Sequence, residues 1–171
     1  IGTLLGGFGA DWAGKRDERW YAWLPAITLT LAAPLYMIGL SLPNWQIALP
    51  IVVIAATLAF TFYAPTFGAV QNMVESRMRA SASAIVIFFQ NLVGMGLGPL
   101  FVGMLSDFFA TRLFEGDYAA QCAGPATQAA KTCAIASSLG IRYAMMACAG
   151  IAVWAAFHFW LASRTLRRDM I

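Results

Sequence analysis

Charged residues are distributed very unevenly along the chain. From Trp20 to Val74 there is no Asp, Glu, Lys, Arg or His over 55 residues. A single helix of that length would be roughly 80 Å long, whereas about 20 apolar residues cross the hydrocarbon core of a bilayer. The stretch therefore predicts two membrane-spanning helices, and Pro43 with Asn44 predicts the turn between them.

Two further stretches without charge, residues 80–106 and 143–163, are also long enough to span a bilayer. They are continuous, without the alternation of a membrane barrel strand, so the predicted fold class is all-α, a polytopic membrane helix bundle. The apolar start, without Met, leads us to expect that the polypeptide continues upstream. The predicted segments are a helix end at 1–10, a loop at 11–19, helices at 20–41 and 45–70, a helix at 81–106, an outer loop at 107–140, a helix at 141–163 and a tail at 164–171.

The composition supports a membrane protein, with 60% hydrophobic and 11% charged residues and a mean hydropathy of +0.69. The net charge of +3 does not indicate a nucleic-acid partner, because the basic residues form short clusters between apolar stretches. Alternation of the spans places eight of them on one face and three on the other. By the positive-inside rule the larger group and the C-terminus are cytoplasmic. The larger group is Lys15, Arg16, Arg19, Arg77, Arg79, Arg164, Arg167 and Arg168; the smaller is Arg112, Lys131 and Arg142.

Two cysteines, Cys122 and Cys133, lie in the predicted outer loop. On that side a disulfide is chemically permitted, and two independent thiols are equally consistent with the sequence. Cys148 lies within the last span and is interpreted as a small packing residue.

The segment from Gly7 to Arg16 follows the first helix end at the predicted inner surface. It resembles motif A of the major facilitator superfamily, G-x-L-a-D-r-x-G-r-R, although Gly9 and Trp12 depart from it in the manner of the degenerate second copy of the motif. The matching positions, which form the predicted gate, are Gly7, Asp11, Gly14, Lys15 and Arg16.

These residue types suit a tight charged turn, because glycine permits close backbone approach. Asp11 can cap a helix N-terminus or pair with Lys15 or Arg16, and such a cluster can latch one helix bundle to another on the inner side. The alternative is a basic glycine-rich turn that only satisfies topology.

A second signal lies in the helix predicted at 81–106. Its small residues permit close helix contact, and a proline weakens the hydrogen-bond ladder; these packing residues are Gly94, Gly98, Pro99 and Gly103. Together with the loop before it, the run 71–107 is similar to the Spinster branch of the superfamily.

The resemblance implies the C-terminal part of a major facilitator superfamily fold, about helices 8 to 12, whose partner is the N-terminal six-helix half of the same protein. It implies a secondary transporter that works by alternating access, in a bacterial inner membrane, with the substrate near the midplane between the halves. The lipid bilayer is then a second partner.

Polar and aromatic positions in two spans are candidates for the substrate cavity. One weakly polar stripe at helical spacing is formed by Thr57, Thr61, Ala64, Gly68 and Gln71. Phe60 and Tyr63 can supply an apolar wall. Gln90 and Asn91 are the most costly uncharged side chains to place in hydrocarbon. They either face the cavity or form a hydrogen bond between helices.

No span carries a carboxylate at mid-depth, so proton coupling would need residues outside this sequence. The expected cargo is therefore amphipathic, which agrees with the lysophospholipid and sphingoid cargoes associated with Spinster relatives; the alternative is a small organic anion or drug. No cofactor or metal is expected. The single histidine, His158, sits among aromatic residues and is interpreted as part of an interfacial belt rather than a proton relay.

Two other classes of function fit less well. A membrane-embedded enzyme would need a nucleophile or metal cluster, and the sequence has neither H-x-x-x-D nor H-E-x-x-H. A channel or structural scaffold could use the same glycine face.

Overall fold

The computed structural model describes residues 1–122 and 130–169, and nearly all of them are helical. The α-helices in these ranges are α1 (Gly2–Gly14), α2 (Trp20–Ser41), α3 (Trp45–Ala59), α4 (Tyr63–Asn72), α5 (Arg79–Phe89), α6 (Gly98–Leu113), α7 (Tyr118–Cys122), α8 (Ala130–Ala162) and α9 (Leu166–Asp169). Short 3₁₀ turns occupy Phe60–Phe62 and Ser76–Met78, and a π-helical segment occupies Gln90–Leu97.

Four helical stretches within the described residues are long and apolar enough to cross a bilayer, as the sequence predicts. They are Trp20–Ser41, Trp45–Asn72, Ser76–Leu113 and Lys131–Ala162. The all-helical membrane bundle is therefore the observed fold class.

The break between α2 and α3 lies where the sequence places it. Leu42 is extended, as the residue before a proline usually is. The Asn44 side chain then accepts a hydrogen bond from the backbone N–H of Gln46 at 3.0 Å and caps α3. One proline and one asparagine thus convert a long apolar run into two spans.

The first helix is longer than predicted. We expected a loop to begin at residue 11, but α1 continues through Asp11 and ends at Gly14. Ala10 and Ala13 are buried and continue the packed face, while Asp11 lies on the exposed side of the same turn. A single charge on an exposed face does not end a helix whose other face is packed.

Two predicted boundaries of the outer loop, 107–140, are also wrong. The helix before it runs to Leu113 rather than 106, and α8 begins at Ala130 rather than 141. Alanine and leucine are strong helix formers, and polar residues beyond the hydrocarbon can remain in a helix. Gly140 explains the close packing here, because a methyl group on it would lie 2.9 Å from Cβ of Ala110.

Cys122 and Cys133 form a disulfide, with their Cα atoms 5.6 Å apart. The bond joins the end of α7 to the first turns of α8, so of the two readings that the sequence left open the structure has the disulfide. Residues 123–129 of the predicted loop lie outside the described part of the chain.

The chain divides into two compact units. One comprises Ile1–Phe88 together with the chain from Ala149 onward, and the other comprises Phe89–Cys148. In the first unit the packed core consists mainly of small residues, which allow membrane helices to approach closely. Its fully buried alanines include Ala10, Ala32, Ala33 and Ala55.

Candidate functional site

The glycine-rich face of α1 lies directly against the span formed by α3 and α4. A methyl group on Gly6 would clash with the backbone carbonyl oxygen of Thr61, and one on Gly2 would clash with that of Thr57. Farther along, a methyl group on Gly7 would lie 3.3 Å from Cβ of Ala64. Gly2 and Gly6 must be glycine because a methyl group there would meet a backbone carbonyl oxygen, which cannot rotate away as a side chain can.

At the end of α1 the ring of Tyr21, from the first turn of α2, fits between two glycines. A methyl group on Gly14 would come within 2.7 Å of the ring, and one on Gly68 of α4 would come within 2.9 Å. The Tyr21 hydroxyl donates a hydrogen bond to Oδ1 of Asp11 at 2.9 Å. Three helices therefore meet at one tyrosine.

The partner of Asp11 differs from the sequence expectation. We expected an ion pair with Lys15 or Arg16, or a helix cap, and the structure has neither; among the described residues the ion pair is between Arg77 and Glu75. The Arg16 guanidinium lies over the Trp12 ring, 5.3 Å from its centroid. An exposed ion pair gains little free energy because its two long side chains must be ordered, whereas the packed Tyr21 ring is already fixed.

A cavity of about 320 Å³ lies beside this contact. Polar atoms reach it from Asp11, Tyr21 and Gln71, and Gly7, Ala64 and Gly68 form part of its apolar lining. Gln71 also donates to the Ser83 hydroxyl at 3.3 Å, which connects α4 to α5. We call this group, Asp11, Tyr21, Gly14 and Gly68, the motif A site.

The predicted polar stripe on the second span is a helix-packing face in this unit. Thr61 is only 4% exposed, and its hydroxyl lies 2.6 Å from that of Thr28 in α2. The Thr57 hydroxyl donates to the carbonyl of Val53 at 2.8 Å, within its own helix. Ala64 faces Gly7, so these three residues contact α1 and α2.

The aromatic residues of the predicted cavity wall lie near the 3₁₀ turn. The Tyr63 ring lies 4.6 Å from that of Phe62 and 5.9 Å from that of Phe60, between ring centroids. Phe60 is 53% exposed and, with Thr57, lines a separate cavity of about 290 Å³.

Gln90 and Asn91 begin the π-helical segment of the second unit. Neither amide has a hydrogen-bond partner among the described residues, and none of the residues from Arg79 to Leu97 is buried. A π-helical turn is frequently found at functional sites, and here it precedes Pro99, which lacks the N–H that would continue the ladder. Both roles considered for these amides stay predictions.

The glycines of the same span are open among the described residues of the second unit. A methyl group on Gly94 or Gly103 would meet nothing within 4 Å there, and one on Gly98 would meet only the carbonyl of Val93 at 3.9 Å. Their packing role stays a prediction.

Within residues 1–122 and 130–169, no group of three His, Cys, Asp or Glu side chains could hold a metal ion. The His158 ring lies edge-on to Trp154, 5.0 Å away between centroids, and beside Phe157.

Tyr21 belongs to the motif A site but was not a candidate in the sequence, and Gly68 was assigned only to the weakly polar stripe of the second span. The sequence held a weak signal for Tyr21, because it lies in the first turn of the helix that follows the motif and its hydroxyl can donate to a carboxylate. The spacing of Gly68 relative to Tyr21 gave no signal, because only the packing of α2 on α4 brings them together.

No protein-family model matches this chain, but a curated protein and several solved structures are similar to it. An MFS-type efflux pump of Mycolicibacterium smegmatis is 30% identical over 172 residues, which cover 100% of this chain and 34% of that protein. Two crystal structures show a bacterial homologue of the human lysosomal transporter Spinster, inward-facing and occupied or inward-facing and unoccupied. They match with TM-scores of 0.80 and 0.79 at 30% identity, over 99% of this chain and 39% and 38% of theirs.

The chain thus spans little more than a third of the length of the relatives it matches. These relatives are an efflux pump and a transporter homologue, which agrees with the expectation that the chain is not an enzyme. The likeness extends along the whole chain and includes both fold and sequence. This chain therefore has the fold of part of a major facilitator superfamily transporter and is similar to the bacterial Spinster homologue.

Proposed function

We propose that the chain is the C-terminal part of a secondary transporter that works by alternating access. The observation that carries this proposal is the motif A site, in which Tyr21 holds the carboxylate of Asp11 between α1 and α2. Similarity to an efflux pump and to a Spinster homologue supports it. In this proposal the N-terminal six-helix half of the same protein faces the chain, in a bacterial inner membrane, with the C-terminus cytoplasmic.

The motif A site can act as a two-state element. Both similar crystal structures are inward-facing, and we infer the same state for the contact seen here. In that state Tyr21 donates its hydrogen bond to the carboxylate, while Lys15 and Arg16 are exposed and form no ion pair with another described residue. In the outward-facing state, with the inner side closed, Asp11 and the two cations latch the opposite bundle.

The proposed cargo is amphipathic or lipid-like, of the lysophospholipid or sphingoid type. Its support is the chemistry of the cavity candidates outside the weakly polar stripe, which are neutral and either aromatic or polar: Phe60, Tyr63, Gln90 and Asn91. A small organic anion or drug is the second candidate, favoured by the similarity to an efflux pump.

Transport by the full-length protein in proteoliposomes distinguishes the two cargo classes. We expect saturable uptake of a lysophospholipid, and no competition from dicarboxylates or sugars. Saturable flux of drugs or anions alone would overturn the lipid assignment, and flux that never saturates would favour a channel.

The amides of the π-helical segment provide a test within the chain. If Gln90 and Asn91 face the cargo, Asn91→Ala should raise KM severalfold and leave the melting temperature unchanged. If instead they bind a neighbouring helix, the melting temperature should fall and KM should not change. Gln46→Ala, at the exposed start of α3, is the matched control.

A further inference from the structure

An apolar groove of about 490 Å³ runs between α2 and the last turns of α8, within the first unit. Two buried alanines, Ala26 and Ala156, form its floor. Its walls are large and partly exposed: Ile27 is 48% exposed, Leu31 52% and Trp160 44%. The groove is therefore an open depression on the surface of the helix pair.

The lining of the groove is almost entirely apolar. Thr30 supplies its hydroxyl group, which donates to the backbone carbonyl of Ala26 at 2.7 Å, and the other polar side-chain group of the lining is the indole N–H of Trp160. With that hydroxyl engaged inside its own helix, the surface is chemically a hydrocarbon surface. An occupant must be an apolar chain rather than a polar ligand.

Positive charge is concentrated at one end of the groove. The Arg164 guanidinium stacks on the Trp160 ring, 4.1 Å from its centroid. Ser163, the residue before it, accepts a hydrogen bond from Nε1 of Trp23 at 2.9 Å, and the Trp23 amide in turn bonds the Arg19 carbonyl. These contacts bring Arg19 and Arg164 to the same end of the helix pair.

Arg19 is the less satisfied of the two arginines. Its Nε is buried and has no hydrogen-bond partner in the part of the chain that the structure describes. Such a donor is costly when unpaired. Arg19 as a whole is only partly buried, and an anionic oxygen is the natural acceptor for its guanidinium. Arg167 and Arg168 follow Arg164 closely in the sequence and are exposed.

We propose that this groove binds an anionic phospholipid of the membrane, with one acyl chain between Ile27 and Phe157 and the phosphate at Arg164 and Arg19. The charge at the groove's end favours this occupant over a second copy of the chain or a further helix, neither of which requires an anion there. Basic residues near a membrane surface each contribute about 1 kcal/mol to anionic lipid binding, or roughly fivefold in affinity. The proposal does not depend on what the protein transports.

The test uses the full-length protein in detergent and phosphatidylglycerol carrying a photoreactive diazirine on one acyl chain. We expect crosslinks in the peptides that contain Ile27 and Phe157, and at least fivefold stronger labelling than with phosphatidylcholine of the same chains. Arg164→Gln should lower that preference about fivefold, because it deletes the exposed cation at the end of the groove and leaves Arg19 in place. Arg79→Gln, which removes a charge remote in sequence from the groove, should leave it unchanged.

A groove-filling variant separates this site from general lipid contact. Ile27→Trp should reduce labelling of both peptides severalfold, whereas Ile151→Trp, an exposed position outside the groove, should not. Equal labelling by the two lipids, labelling insensitive to Arg164→Gln, or crosslinks to a second copy or to another helix would each overturn the proposal.

Discussion

The Tyr21 hydroxyl donates to the Asp11 carboxylate at 2.9 Å and thereby joins the start of α2 to the last turns of α1. The ring that carries this hydroxyl is fixed by Gly14 and Gly68, where any side chain would collide with it. The carboxylate of the motif is thus held by a neutral donor, and within residues 1–122 and 130–169 neither Lys15 nor Arg16 forms an ion pair. In the proposed mechanism the carboxylate exchanges this neutral partner for the opposite bundle.

Removing the Tyr21 hydroxyl should release Asp11 toward the opposite bundle. We expect Tyr21→Phe to shift the full-length protein toward the outward-facing state by about fivefold, since a hydrogen bond contributes about 1 kcal/mol. Distances between spin labels on the two halves measure this population. Tyr36→Phe, in the same helix and without a hydrogen bond in the described chain, should leave the population unchanged, and an equal shift in both variants would contradict the assigned role.

The glycines of α1 should differ sharply in their tolerance of a methyl group. Gly6→Ala should lower the free energy of unfolding by about 1–3 kcal/mol, because the added carbon meets the Thr61 backbone carbonyl. Gly150→Ala, where nothing lies within 4 Å, should be close to neutral. Thermal unfolding of the purified full-length protein measures both, and a neutral Gly6→Ala would mean that α1 does not pack on this span.

The location of the spans could be predicted from the sequence because it depends on where charge is absent. Lipid excludes unpaired charge over the width of its hydrocarbon core, so the break at Pro43 and the four long helices follow from the printed residues alone. Helix ends depend on packing as well. Asp11 and Asp107 stayed helical because their neighbours Ala13 and Ala110 are buried against other helices.

The residue types of the motif A site were also predictable, but their partners were not. Which donor reaches Asp11 is decided by how α2 lies on α1 and α4, and nothing local in the sequence encodes that geometry. The threonine stripe shows the same limit: the spacing of Thr57 and Thr61 predicts one face, but not whether that face meets a cavity or another helix.

The buried threonine pair should contribute modestly to the packing of α2 on the second span. A double-mutant cycle of Thr28→Val and Thr61→Val should give a coupling free energy of about 0.6 kcal/mol, the usual size of hydrogen bonds between membrane helices. Thr57→Val should not couple to Thr28→Val, because the Thr57 hydroxyl bonds its own helix. A coupling free energy of zero between Thr28→Val and Thr61→Val would contradict this role. An increase in KM without loss of stability for Thr61→Val would indicate that Thr61 faces the substrate cavity instead.

The disulfide can be checked by mapping the three cysteines of the chain in denatured protein. Without reductant, maleimide should label the peptide of Cys148 and spare those of Cys122 and Cys133; with reductant, it should label all three. Labelling of all three before reduction would show that the two outer cysteines are independent thiols.

The most direct measurement of the central claim compares Asp11→Asn with Glu18→Gln in the full-length protein. Both remove a carboxylate near the same turn, but Glu18 is exposed and its side chain has no partner among the described residues. Spin-label distances across the inner side should show Asp11→Asn moving the population toward the inward-facing state, opposite to Tyr21→Phe, with slower uptake and normal expression. An unchanged population and unchanged uptake in Asp11→Asn would contradict the claim that Asp11 alternates between Tyr21 and the opposite bundle. The same population shift in Glu18→Gln would contradict it as well.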